Sequence, residues 1–142
     1  MVFELEIDTY FWMVDRAEVE DDQRNQVSIE KQRVVLYKDH SAKIENGVYI
    51  GKIMHAIRKT IIKKSRKPFT LDPALANLKD QSIKSVKEHN WNLIISELKK
   101  FNIKSSKDKR TQIIENKSMS AINEVITKLK EYDENIKIAG PS

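Results

Sequence analysis

Residue types that could do chemistry are few in this chain, and none falls at a spacing that defines a site. The three histidines, His40, His55 and His89, are never three or four residues apart, so no helix face presents two of them to a zinc ion. There is no cysteine, hence no thiolate ligand, thiol nucleophile or disulfide. The three glycines form no phosphate-binding loop, and no serine or threonine lies in a nucleophile motif. The sequence therefore predicts no cofactor and no metal site, and it favours a non-catalytic protein over an enzyme.

Acidic residues are concentrated near the N-terminus. Residues 1–25 hold eight acidic and two basic side chains, a net charge of −6, whereas the whole chain carries +5. One predicted loop contains a cluster of them, Glu18, Glu20, Asp21 and Asp22. The cluster lacks the glycine and the ligand spacing of a calcium loop. We interpret it as a partner-binding loop. The alternatives are a solvated loop, or an acidic element packed against a basic one.

Two stretches of the chain are strongly basic. The first, residues 58–67, has six cations in ten residues and no acid. Its candidate partner-binding residues are Arg58, Lys59, Lys63, Lys64, Arg66 and Lys67. The alternative is structural, because cations at the end of a helix interact favourably with its dipole. The second stretch, residues 99–110, joins two predicted helices. Lysine outnumbers arginine by 20 to 6, and arginine is the better phosphate ligand, so the positive charge is weak evidence for nucleic acid.

The second basic stretch carries one local resemblance. The segment from Leu98 to Lys107, followed by Ile113 and Ile114, resembles the helix–turn–helix spacing of SAP-type DNA-binding motifs, over less than a fifth of the chain. Asn102 or Ser106 stands where those motifs have a glycine near the turn. The resemblance implies that this stretch contacts DNA.

The first third of the chain has strand-like patterns. Phe3, Leu5 and Ile7 alternate with acidic residues, which predicts a strand over 2–14, with an antiparallel partner over 26–38. The Asn46-Gly47 turn leaves two alternatives. It closes a short hairpin that places strand over 43–50, or it directly precedes the next helix.

Apolar residues recur at helical spacing in the rest of the chain. They predict four helices, over residues 51–64, 73–89, 91–101 and 110–132. Asp72 and Pro73 suit the start of the second helix, Asn90 is expected to break the pattern, and Ser118 or Ser120 is expected to interrupt the last helix. Strands followed by helices predict one α+β domain over 1–138, with the helices packed on one face of a small sheet. Residues 139–142 are expected to form a frayed tail.

Length and hydropathy set the expected class of protein. A chain of 142 residues suits one domain. Its start is acidic rather than basic and apolar, and no apolar run approaches the roughly 18 residues of a membrane span. We expect a cytoplasmic protein that does not bind membranes. The leading hypothesis is binding to another protein in an inhibitor, immunity-type or adaptor role. The alternative is binding to DNA or RNA through residues 58–67 and 99–110.

Overall fold

A computed structural model describes residues 3–19, 32–104, 107–115 and 118–139. Its elements along the chain are β1 (Glu4–Glu6), α1 (Ile7–Ala17), β2 (Arg33–Val35), α2 (Lys38–Glu45), α3 (Val48–Ser65), a 3-10 helix (Pro73–Asn77), α4 (Lys84–Leu98), a second 3-10 helix (Lys99–Phe101), α5 (Lys107–Ile114) and α6 (Met119–Ala139). The two strands form an antiparallel sheet, and helices make up most of the rest. The predicted α+β class with a small N-terminal antiparallel sheet is confirmed, but the predicted order of strands before helices is wrong, because α1 lies between the two strands.

The N-terminal strand is shorter than predicted. β1 pairs with β2 over three residues, with Glu6 opposite Arg33. The strand predicted over 2–14 is wrong beyond Glu6, where α1 begins. Tyr10, Met13 and Ala17 recur at helical spacing and are buried, so α1 places one apolar side against the core. Burying this apolar stripe favours a helix after Glu6, although the alternating residues before it fit a strand.

The chain after β2 is helical. The strand predicted over 26–38 contains β2, but α2 already begins at Lys38, and residues 26–31 lie outside the described part of the chain. The strand predicted over 43–50 is wrong, because α2 and α3 occupy these positions. The alternative of a turn before a helix is confirmed. Gly47 joins α2 to α3 with φ 88°, a conformation that favours glycine.

Helix α3 has the best predicted boundaries and a central place in the core. It was expected over 51–64 and runs over Val48–Ser65. Four side chains of its apolar side are fully buried: Ile50, Ile53, Met54 and Ile57. Gly51 permits close contact with the first 3-10 helix, since a Cβ atom at this position would lie 2.2 Å from the Leu75 carbonyl oxygen. The apolar side of α3 is therefore buried in the core, and the opposite side of the helix is exposed to solvent.

The helix predicted over 73–89 is wrong in its middle. Asp72 caps the segment as expected, because its Oδ1 accepts a hydrogen bond of 2.9 Å from the Ala74 backbone N–H. However, only the short 3-10 helix follows, and regular helix resumes with α4 at Lys84. The local cap was predictable, but the length of the helix was not.

Asn90 does not break a helix. It lies inside α4, where its amide donates hydrogen bonds to the carbonyl oxygens of Asn46, at 3.0 Å, and Lys79, at 2.9 Å. The buried Asn90 amide therefore supplies hydrogen bonds to two backbone carbonyl groups outside α4. The separate helix predicted over 91–101 is the second half of α4 with the second 3-10 helix.

The helix predicted over 110–132 is two helices, α5 and α6. Ser118 separates them as expected, and its hydroxyl accepts a hydrogen bond of 3.2 Å from the Ala121 backbone N–H. α6 continues to Ala139, which had been assigned to the frayed tail. Residues 140–142 of that tail lie outside the described part of the chain.

A buried carboxylate holds α1 against α6. Asp133 is fully buried and accepts hydrogen bonds of 2.8 Å from Trp12 Nε1 and 2.8 Å from Arg16 Nε. The Arg16 guanidinium binds both carboxylate oxygens, so the contact is bidentate. A buried charge with these partners fixes the relative position of the two helices.

Candidate functional site

Helix geometry divides the cations of the first basic stretch into two groups. With 3.6 residues per turn, residues separated by four, seven or eleven positions share one side of a helix. Lys59 and Lys63 lie opposite the apolar stripe of α3, whereas Arg58 and Lys64 flank that stripe. The candidate residues predicted in this stretch therefore do not form a single surface.

The two flanking cations bind backbone carbonyls within the molecule. Arg58 Nε donates to the Phe69 oxygen at 2.7 Å, and Lys64 Nζ donates to the Ile136 oxygen at 3.1 Å. Ile136 lies in the last turn of α6, where a positive charge is favoured by the helix dipole. We assign these two cations a structural role.

The outward side of α3 carries a row of basic side chains, which we call the basic face. It consists of Lys52, His55, Lys59 and Lys63. The three lysines are exposed and His55 is half-buried. Eleven residues of helix separate the ends of the row, a length of about 16 Å. Lys52 and His55 were not among the predicted residues, because they precede the continuous basic run over residues 58–67. The helical period used for the apolar stripe would have found them.

The lysines of the basic face are not neutralised within the described residues. α3 contains no aspartate or glutamate, so no carboxylate lies three or four positions away on the same helix. None of the ion pairs formed in the described part of the chain involves Lys52, Lys59 or Lys63. Their charge is available to an external anion.

Arg66 and Lys67 extend this charge past the end of α3. Arg66 adopts a left-handed conformation with φ 57°, and its backbone N–H donates to the Ile62 oxygen at 2.9 Å. The Lys67 backbone N–H donates to the Ser65 hydroxyl at 3.2 Å. Both basic side chains are exposed.

A cleft of about 210 Å³ separates the basic face from the end of α1. Lys52, His55 and Lys59 line it from α3, and Glu18 lines it from the position that caps α1. His55 Nε2 lies 3.1 Å from the Asp72 carbonyl oxygen. A carbonyl only accepts hydrogen bonds, so Nε2 carries the hydrogen. The cleft thus combines several cationic side chains with one carboxylate.

The predicted acidic loop is described only at its start. Glu18 is exposed and has φ 53°, and its backbone N–H donates to the Asp15 oxygen at 3.3 Å. Glu20, Asp21 and Asp22 lie outside the described residues. In the ranges that are described, no group of three His, Asp or Glu side chains could hold a metal ion. The described part of the loop therefore contributes one carboxylate next to the basic face.

Three of the six cations in the second basic stretch form ion pairs with carboxylates. Its ion pairs are Lys100–Glu97 at 2.6 Å, Lys109–Glu124 at 2.9 Å and Arg110–Glu88 at 3.2 Å. The hydrogen bond from Lys109, together with a second from Lys128, holds the pKa of Glu124 below its ordinary value of 4.5. Half of the positive charge in this stretch is therefore balanced inside the molecule.

The connection between α4 and α5 is described up to Lys104, and residues 105–106, including Ser106, lie outside the described part of the chain. Asn102 has φ 58° and ψ 26°, a left-handed conformation that glycine adopts most easily. Asparagine is among the residues that tolerate this conformation best. The replacement of the expected glycine by Asn102 is therefore compatible with a tight turn.

Comparisons with known proteins give no relative from which a function could be carried over. No protein-family model, no curated protein and no solved structure matches this chain. Among the helices of the described ranges, none is both long and apolar enough to cross a membrane.

Proposed function

We propose that this chain is a non-catalytic cytoplasmic protein that binds another protein, and that the basic face of α3 docks against an acidic surface of that partner. The observation that carries the proposal is the row Lys52, Lys59 and Lys63, which is exposed and has no ion-pair partner within the described residues. Complementary charge accelerates association and fixes the register of an interface. An inhibitor, immunity-type or adaptor protein would use such a surface.

The mixed charge of the neighbouring cleft supports a protein partner over a nucleic acid. Glu18 lines the same cleft as Lys52 and Lys59, so a continuous phosphate backbone would meet a carboxylate there. A protein surface carries both signs of charge and accommodates this arrangement. Lysine is also a poorer bidentate phosphate ligand than arginine.

The pairing in the second basic stretch also weighs against the nucleic-acid alternative. That alternative requires residues 58–67 and 99–110 to contact phosphates together. Lys100, Lys109 and Arg110 are already paired with carboxylates, so phosphate contacts would have to replace these interactions. The basic face of α3 needs no such exchange.

Two matched triple variants test the proposal. The first replaces Lys52, Lys59 and Lys63 with glutamine. The second replaces three other exposed lysines with glutamine: Lys38, Lys79 and Lys99. Each variant loses three positive charges, so a difference between them reports on position rather than on total charge. The immobilised parent protein captures binding proteins from its source lysate at low salt, and each captured protein is then purified and its affinity measured.

The basic-face variant should bind a reconstituted partner about tenfold more weakly than the parent, at about 0.5 kcal/mol for each lost charge pair. The control variant should bind within about twofold of the parent. Equal weakening in both variants would contradict the proposed surface. Fluorescence anisotropy with labelled DNA and RNA tests the alternative. Tight binding that collapses between about 50 and 200 mM salt would support a nucleic-acid partner instead.

A further inference from the structure

The cleft beside the basic face has the size of a site for one side chain. Its volume of about 210 Å³ is below the roughly 300–1,000 Å³ of pockets that enclose a small-molecule ligand. Three alanines leave this space open, one from each element around the cleft: Ala17 of α1, Ala56 of α3 and Ala76 of the first 3-10 helix. A protruding side chain of a docked partner therefore fits there, whereas a folded segment does not.

The imidazole of His55 has one nitrogen available to a ligand in the cleft. This side chain is half-buried, and its Nε2–H donates to the Asp72 carbonyl oxygen at 3.1 Å. Its Nδ1 atom forms no hydrogen bond within the described residues, and the polar atoms that are buried without a partner do not include it, so it is accessible to solvent. Because the bond from Nε2–H is kept in both protonation states, the imidazole gains and loses its second proton at Nδ1.

The charged groups nearest to His55 attract an anion only weakly while the imidazole is neutral. Lys52 lies three positions before His55 on α3 and Lys59 lies four positions after it. Glu18 lines the same cleft from the end of α1 and opposes them. Two lysines against one carboxylate leave one positive charge, and a proton on His55 adds a second.

Two further charged side chains near His55 are bound within the molecule. Arg16 lines the cleft from α1, and its guanidinium is paired with Asp133. The Asp72 carboxylate caps the first 3-10 helix, where its Oδ1 accepts from the Ala74 backbone N–H. Protonation of His55 is therefore the change that doubles the available positive charge of the cleft.

We propose that the cleft receives one carboxylate side chain of the acidic partner, and that protonated His55 donates a hydrogen bond to it from Nδ1. The inference rests on the proposed function, because the partner reaches the cleft by docking on the basic face. A carboxylate only accepts hydrogen bonds, so it binds the imidazolium and not the neutral imidazole, whose Nδ1 is also an acceptor. Docking therefore takes up a proton, and it strengthens as the pH falls from about 8 to about 6, within the range in which histidine changes its charge.

Calorimetric titrations of the full chain with a hexa-aspartate peptide at low salt test this coupling. The carboxyl groups of the peptide stay ionised between about pH 6 and pH 8, so they contribute no proton. Titrations at pH 7 in two buffers of different ionisation enthalpy give the number of protons that binding takes up. We expect uptake of a fraction of one proton, and binding about two- to fivefold tighter at pH 6 than at pH 8, as for one additional exposed charge pair.

Three variants locate the proton. His55→Gln keeps an amide donor for the Asp72 carbonyl but has no titratable nitrogen, so it should remove the proton uptake and most of the pH dependence. His89→Gln is the matched control, because it removes an exposed histidine of α4 that does not line the cleft, and it should leave both unchanged. Ala56→Leu fills the cleft without changing any charge, and it should also remove the proton uptake.

Failure of this inference and failure of the proposed function give different results. The inference is overturned, and the basic face stands, if replacing Lys52, Lys59 and Lys63 with glutamine weakens peptide binding but the parent takes up no proton. It is also overturned if His55→Gln takes up as many protons as the parent. Absence of peptide binding by the parent contradicts both. The charge-neutral imidazole replacement keeps the test valid if Ala56→Leu fails to fold.

Discussion

The two basic stretches are alike in sequence, but the fold uses their charges differently. In residues 99–110, three cations are paired with carboxylates of α4 and α6. In residues 58–67, two cations bind backbone carbonyls, while the others project outward without an ion-pair partner among the described residues. A run of positive charge is therefore a weak predictor of a binding surface. The helical position of each cation and the carboxylates near it decide its role.

The composition of the neighbouring helices explains this difference. α3 has no acidic residue along its 18 positions, so its outward lysines have no partner on their own helix. α4 supplies Glu88 and Glu97 near the second stretch, and α6 supplies Glu124. The free energy of each pair near the surface is small, about 0–1 kcal/mol, but together the pairs neutralise three of the six positive charges in the stretch. The basic face keeps its charge because such neighbours are absent from its helix.

The largest expected change in stability follows from removing the Asp133 carboxylate, which binds the Arg16 guanidinium inside the molecule. Asp133→Ala leaves Arg16 and the Trp12 indole N–H without their shared acceptor. Breaking a buried pair in this way should lower the free energy of unfolding by about 3–5 kcal/mol, measured by urea denaturation. The control is Glu131→Ala, an exposed glutamate on the same helix, for which we expect a change within about 0.5 kcal/mol. A similar effect of both variants would show that the buried contact contributes little.

Two adjacent lysines, Lys63 and Lys64, allow a cation on the basic face to be compared with a cation bound inside the molecule. Lys64→Ala removes the ammonium group that donates to the Ile136 oxygen at the end of α6, and should cost about 0.3–1 kcal/mol of stability. Lys63→Ala removes an exposed charge from the basic face and should leave stability nearly unchanged. Conversely, Lys63→Ala should weaken partner binding more than Lys64→Ala does. Thermal or urea denaturation and a binding assay on both variants measure the two effects, and a reversed order in either would refute the assignment.

The smallest expected effect concerns the pH dependence of the second stretch. The pKa of Glu124 is lowered, mainly by the hydrogen bond from Lys109, so the pair stabilises the fold above the ordinary carboxyl pKa. This contribution is lost as the pH falls through the lowered pKa of the folded protein. Lys109→Gln should move the pKa of Glu124 up toward 4.5, whereas Lys59→Gln should not, as measured by a carbon NMR titration of the side-chain carboxyl. An unchanged pKa in the first variant would contradict the pairing.

Features set by nearby residues were predictable from the sequence. The Asp72 cap, the interruption at Ser118 and the apolar stripe of α3 each depend on residues within a few positions of one another. The start of α1 was not predictable in this way, because Phe3 and Leu5 fit a strand while Tyr10 and the residues after it fit a helix. Short alternation overlapped the helical pattern, and tertiary packing decided between them.

Features set by distant residues could not be predicted. Arg16 and Asp133 are 117 positions apart, so no local pattern relates them. The different roles of Lys63 and Lys64 also depend on where the end of α6 lies. The outward row Lys52, Lys59 and Lys63, by contrast, follows from helical spacing alone. This part of the candidate site could have been predicted once α3 was assigned.

The most direct test of the central claim is to map where an acidic ligand contacts the chain. Isotope-labelled protein is titrated with a synthetic polyglutamate peptide at low salt, and the backbone amide shifts are followed by NMR. We predict that the largest shifts occur at the basic face of α3, near Lys52, Lys59 and Lys63, and that they disappear at high salt because exposed charges are screened. Shifts centred on residues 99–110, with α3 unaffected, would contradict the account.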